Sequence, residues 1–191
     1  MAVDWDAVAE TWEHNEAVQT FADQVFASLS ELTQVSNKTI LDFGCGTGIL
    51  SQQLAPMAKS IVALDSSEAM IEVLEEKNLS NVEPVVDMLT RGLVAQHPAF
   101  RGQFDLVVAS SVCGFIPSFA DACDIIYSIL EDDGLFVHWD WEAADAEEGL
   151  TKDRVEQVLS CVGFKDVTVK EAFTIQTEQG PQKVIMGIAK K

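Results

Sequence analysis

Basic residues are scarce in this chain. Lys and Arg together number 12 against 31 Asp and Glu, a formal net charge of −19. Nucleic-acid affinity comes largely from cations that displace counterions from phosphates, so DNA and RNA would be repelled. Anionic membrane surfaces are disfavoured on the same ground. Long apolar runs are also missing, and nothing approaches the roughly 20 residues that cross a bilayer. The opening MAVDWDAVAE carries acids where a signal peptide has a basic region followed by an apolar one, so export is not expected and a cytoplasmic location is. The four cysteines, Cys45, Cys113, Cys123 and Cys161, show no C-x-x-C spacing. Neither a zinc site nor a redox pair is suggested, and buried thiols in a reducing compartment are the default. No metal is expected, and internal repeats and low-complexity stretches are absent.

What is present suffices for a folded domain. A chain of 191 residues favours one domain, and at this size about 70% of the unfolded surface is buried without help from disulfides or metals. Apolar residues make up 48% of the chain, which excludes a disordered acidic tail. Val18, Phe21, Ala22, Val25, Phe26, Leu29 and Leu32 recur at helical spacing. Short apolar runs then alternate with helical patterns. Ile40–Phe43, Ile61–Leu64, Val82–Val86, Phe104–Ala109 and Leu135–Trp139 read as strands. Ser118 and Asp121 form a capping box ahead of one helix, the Asp132-Asp133-Gly134 turn is expected to end it, and Gly163 is expected to stop the next. Such alternation predicts a parallel sheet with helices on both faces, because parallel strands need crossovers. The tail differs. Val167–Phe173 alternates like an edge strand and Val184–Ala189 is almost continuously apolar, with about ten residues between them. That link is too short for a helical crossover, so the last strand should run antiparallel inside the sheet.

The first strand runs into LDFGCGTG at residues 41–48, and a helix pattern follows. Glycines at such a turn let the backbone approach a ligand and present amides to it. The dinucleotide pattern G-x-G-x-x-G fails, since Ile49 stands at its third glycine. The pattern present is D-x-G-x-G-x-G from Asp42 to Gly48. An acid there suits a ligand with a cationic amino group better than a pyrophosphate. Asp65 ends the second strand, 19 residues after Gly46, near the spacing at which a carboxylate takes ribose hydroxyls. Asp87 ends the third strand beside Met88, a pair suited to an adenine amino group and its ring.

Through these motifs the chain resembles the class I S-adenosylmethionine-dependent methyltransferases, and most of all the small-molecule branch that includes the ubiquinone and menaquinone enzymes. LDFGCGTG, ALDSSEAM, VVDM, FDLVVASSV and LEDDGLFV carry the resemblance. It implies an α/β, three-layer, doubly wound and mostly parallel seven-stranded sheet with an antiparallel last strand. It also implies a single domain, with residues 1–32 as an N-terminal helical cap and 33–191 as the cofactor-binding core. S-adenosyl-L-methionine is the implied cofactor and a small molecule the implied methyl acceptor. Carried across, Gly44, Cys45 and Gly46 would follow the methionine part of the cofactor, with Gly48 a further cofactor-binding residue of the same loop. Asp42 would help its amino group, Asp65 the ribose, and Asp87 with Met88 the adenine, while Ser66 and Ser110 would line the same pocket.

The acceptor side is less legible. His14, in a segment the family folds over the cofactor mouth, is the candidate base. His138 reads as a structural strand residue and His97 as exposed. Trp5 and Trp12 are candidate caps, Asp140 and Trp141 candidate cavity residues, and Cys113 follows the fourth strand. Trp12, His14, Cys113 and Trp141 are therefore the candidate substrate residues, and residues 1–17 a candidate lid. A non-catalytic cofactor-binding regulator and an NAD(P)-dependent oxidoreductase remain as alternatives, and the oligomeric state is open.

Overall fold

A computed structural model describes residues 3–145, 147–177 and 180–191. The first two residues of the candidate lid and the link at 178–179 lie outside this range. Two helices, α1 (Trp5–Trp12) and α2 (Glu16–Leu32), precede the alternating units β1 (Thr39–Phe43), α3 (Ile49–Leu54), β2 (Ser60–Asp65), α4 (Glu68–Glu76), β3 (Val82–Val86), α5 (Arg91–Gln96), β4 (Phe104–Ser110), α6 (Phe119–Ile129), β5 (Leu130–Trp141) and α7 (Lys152–Val162). The chain closes with β6 (Lys165–Thr177) and β7 (Gly180–Lys190). Local chemistry sets many of the ends. Asn15, Ser67, Thr90, Ser118 and Thr151 each cap a helix through the side-chain oxygen. Gly163 ends α7 with φ of 109°, the left-handed conformation that glycine adopts without strain.

The seven strands lie in the order β3-β2-β1-β4-β5-β7-β6, all parallel except β7, which pairs antiparallel with β5 and β6. This is the expected sheet, with the expected reversed strand inside it. The pleat sorts the core into two faces. Leu41, Phe43, Val107 and Phe136 pack with residues of α5, α6 and α7, whereas Ile40, Leu106, Val137 and Trp139 pack with α2 and α3. Three layers result.

Two boundaries differ from expectation. Phe21, Val25 and Leu29 of α2 belong to the same cluster as Ile40 and Leu54, so the division expected after residue 32 cuts through one continuous core. Only α1 and the first turns of α2 reach over the sheet edge. The Asp132-Asp133-Gly134 turn does not precede β5 but interrupts it. β5 pairs with β4 from Leu130, the register jumps between Phe104 and Leu106, and Asp133 bulges out at φ of 67°. The closing strands are also longer than their apolar runs, because ladder pairing continues through polar residues to Thr177 and Gly180.

Candidate functional site

The carboxyl ends of β1 to β5 converge on a cavity of about 1220 Å³, at the edge where open α/β sheets bind ligands. The glycine loop forms its floor. Gly44, Gly46 and Gly48 all have positive φ, between 54° and 76°. A Cβ on Gly44 would fall 2.2 Å from Val112, and one on Gly48 would fall 2.3 Å from Leu74. Those two glycines therefore serve internal packing as well as the turn, and Gly48 does not border the cavity.

The loop's amides do not face a ligand as expected. Gly44 and Cys45 donate their N–H groups to the Leu64 carbonyl at 2.8 and 3.1 Å, Gly46 donates to Asp65 Oδ2 at 2.8 Å, and Gly48 donates to the Cys45 carbonyl at 2.9 Å. A pyrophosphate would find none of these donors available. Asp42 lies beneath the turn, 1% exposed. Its Oδ2 accepts from the Ser51 hydroxyl at 2.6 Å, while Oδ1 has no partner. Burial, offset in part by Ser51 and reinforced by the charge of Asp65, raises its pKa to about 6. Thr47, which sequence reasoning passed over, is also buried and bordering, and its hydroxyl has no partner.

Asp65 is held from below. Oδ2 takes the Gly46 amide and Oδ1 takes the Ser67 amide at 2.9 Å, which leaves each oxygen further acceptor capacity, and Asp65 borders the cavity. Asp87 turns Oδ1 to the Met88 amide at 2.7 Å, and Met88 is an exposed apolar side chain beside it. Ser66 and Ser110 border the same space. The structure thus brings together every predicted cofactor residue except Gly48. Burial, with the nearby charges of Asp42 and Asp65, pushes the Cys45 thiol well above its ordinary range, which favours the protonated form.

The predicted acceptor residues divide. Trp12 and Trp141 border the cavity; His14 and Cys113 do not. His14 lies exposed in the turn between α1 and α2. Cys113 is buried behind the wall with His138 and Asp140, the ligand-type atoms of the three lying within 4.8 Å of one another. Asp140 Oδ2 pairs with His138 Nδ1 at 2.7 Å, and Oδ1 takes the Gly114 amide at 3.0 Å. His138 stacks on Phe136, as a core residue does. Burial and then Asp140 hold the Cys113 thiol well above its usual pKa. Residues missed from sequence complete the wall: Phe21, Ser111, Phe115, Gln176, Thr177 and Gln182. Most come from elements far apart in sequence, so no local signal marks them.

Helix α1 closes one side. Asp6 Oδ1 accepts from the Ser67 hydroxyl at 2.5 Å, and Glu13 pairs with Lys77 at 2.5 Å, which ties both ends of α1 to α4. Trp5 meets Trp12 and Phe115 edge-to-face at 5.6 and 5.5 Å.

A family model described as a methyltransferase domain matches residues 13–163, and the chain belongs to that family. The mitochondrial ubiquinone biosynthesis O-methyltransferase of Schizosaccharomyces pombe is 31% identical over 134 residues, covering 67% of this chain and 45% of that protein. This chain spans less than half the length of the curated relatives it matches. Among solved structures, a DhpI–SAM–HEP complex aligns with a TM-score of 0.76 at 17% identity, covering 98% of this chain and 94% of the other. A methyltransferase from a complex with the Haloferax volcanii Trm112 activator aligns with a TM-score of 0.80 at 12% identity, covering 100% and 98%. These structures share the fold.

Proposed function

We propose that this protein is an enzyme that binds S-adenosyl-L-methionine at the glycine loop and transfers its methyl group to a small, largely apolar acceptor in the cytoplasm. One observation carries the cofactor reading. Among the described residues that border the cavity, two carry a buried side-chain polar atom without a partner: an acceptor, Asp42 Oδ1, and a hydroxyl able to donate, Thr47 Oγ1. That pair matches the ammonium and carboxylate of an amino-acid moiety, and buried polar groups left unmatched are costly. The internally bonded loop amides count against a dinucleotide, and with it the oxidoreductase alternative.

The cofactor supplies an activated methyl group on a sulfonium centre. The chain would hold its amino-acid end with Asp42 and Thr47, its ribose with Asp65, and its adenine with Asp87 and Met88. Trp5, Trp12, Phe21 and Trp141 would exclude water and fix the acceptor's orientation, and orientation alone can supply up to about 7–11 kcal/mol of a barrier. Among the described residues that line the cavity there is no histidine, lysine or tyrosine. We therefore assign His14 no role as a base and take positioning as the chain's main contribution. The aromatic lining also supports catalysis over a purely regulatory role, since it leaves apolar room beside the cofactor residues. No helix among the described residues is long and apolar enough to cross a membrane.

Calorimetric titration with S-adenosylmethionine and its demethylated product, followed by a labelled-methyl screen of small metabolites, tests this reading. Asp65→Ala should weaken cofactor binding about ten-fold or more, as expected for a hydrogen bond to a charged group worth roughly 1.5–3 kcal/mol. Unchanged affinity in a folded variant would remove the ribose role.

A further inference from the structure

Ser111 follows β4 with φ of 58°, a region sparsely populated by residues that carry a Cβ. Its backbone is pinned there, since its N–H donates to the Trp139 carbonyl at 2.7 Å. Its Oγ accepts from the Trp141 indole N–H at 3.0 Å. A serine hydroxyl has one proton to give and two lone pairs to receive. The indole occupies a lone pair, which fixes the oxygen while leaving the proton to donate elsewhere. Ser111 borders the cavity, and its neighbour Val112 packs on Gly44. It therefore stands at the junction between the cofactor loop and the Trp141 wall. An outlier backbone held by its surroundings at a site wall argues for a functional constraint.

The Trp141 ring packs on Phe21, and Gln176, Thr177 and Gln182 border the same cavity. Its described charged lining residues are four carboxylates, Asp42, Asp65, Asp87 and Asp121, against one cation, Arg91 at the start of α5, which is paired with Asp124, so an anionic acceptor is disfavoured. We propose that Ser111 is a specificity-determining residue: its hydroxyl donates a hydrogen bond to an uncharged oxygen or nitrogen of a largely apolar acceptor molecule. This rests on the methyltransferase reading and deepens it by naming the acceptor's chemistry.

Three fluorinated probes of similar shape separate the terms by fluorine NMR on the full chain, with and without S-adenosylhomocysteine. They are 4′-fluoroacetophenone, which accepts a hydrogen bond, 4-fluorocumene, which does not, and 4-fluorobenzoate, which is charged. The ketone should bind about two- to ten-fold more tightly than the hydrocarbon, as one neutral hydrogen bond allows, and the benzoate most weakly. Ser111→Ala and Ser111→Gly should both reduce the ketone-to-hydrocarbon ratio to about one. The glycine variant should melt at a higher temperature than the alanine variant, because both lose the bond to Trp141 and only glycine relieves the backbone, and this separates the hydroxyl from the strain. Selectivity that persists in both variants, no discrimination by the parent chain, or preference for the benzoate would each overturn the proposal. Calorimetry with S-adenosylhomocysteine reports separately on the cofactor reading. If the product fails to bind, that reading falls, while the probe arm without cofactor still decides the role of Ser111.

Discussion

Asp42 shows how a single residue trades stability for binding. Its pKa is raised from 3.8 to about 6 by burial, so between those values the folded protein keeps a proton that the unfolded chain has released. Stability at this residue therefore falls as pH rises through the window, and above about pH 6 the buried charge costs on the order of 3 kcal/mol. Asp42→Asn should stabilise the ligand-free protein at pH 8 and flatten its pH dependence between pH 4 and 7. The same variant should bind S-adenosylmethionine more weakly. Denaturant unfolding of both proteins at pH 5 and pH 8 measures the difference, and parallel pH profiles would show that the carboxyl is not the titrating group. For the parent, cofactor affinity should rise as pH passes about 6, because an ammonium needs the ionised acid. Asp65 and Asp87 were legible in sequence because each ends an apolar run, and Asp42 because it stands two residues before the first glycine of the loop. Thr47 and Ser111 were not, since nothing in a Thr or Ser marks an unpartnered hydroxyl or a left-handed backbone.

Elements were read well where a period of two or of 3.6 residues was clear, and poorly where tertiary pairing overrode composition. Residues 174–177 are polar enough to pass for a linker, yet the ladder with β7 extends through Thr177. His14 and Cys113 were placed by proximity to the right elements, but the turn after α1 leaves one exposed and the turn after β4 buries the other. The N-terminal pair shows the same limit, since α1 and α2 read as one cap. α1 is fastened to α4 by Asp6 and Glu13 and meets Phe115 through Trp5, whereas Leu29 of α2 is fully buried in the sheet-packing core. Deleting residues 1–13 should therefore leave the fold intact by circular dichroism while abolishing methyl transfer. Leu29→Ala should cost about 2–5 kcal/mol of stability. A truncated protein with full turnover would exclude α1 as a working cover.

Taken whole, the molecule carries far more acid than its cations can answer. The described ion pairs, such as Lys152 with Glu142 and Lys190 with Asp133, engage only a few of the 31 acidic side chains. Surface pairs of this kind are each worth roughly 0–1 kcal/mol, so screening them loses little. Screening the repulsion within a net charge of −19 gains more. Raising salt from about 0.05 to 0.5 M should increase the melting temperature, and a fall would show that the pairs outweigh the repulsion. The sign of the charge also predicts no retention of DNA or RNA at physiological salt.

The position of β7 bears on how the protein is made. It enters between β5 and β6, and the ribosome delivers it after both of them. Until it emerges, β5 offers an unpaired backbone edge carrying Trp139 and Trp141 to its surroundings, although the glycine loop and its carboxylates have already been synthesised. Exposed edges of this kind template aggregation. Nascent chains stalled after residue 163 should thus be bound by chaperones or precipitate, and release should depend on the last dozen residues pairing along both of their neighbours at once.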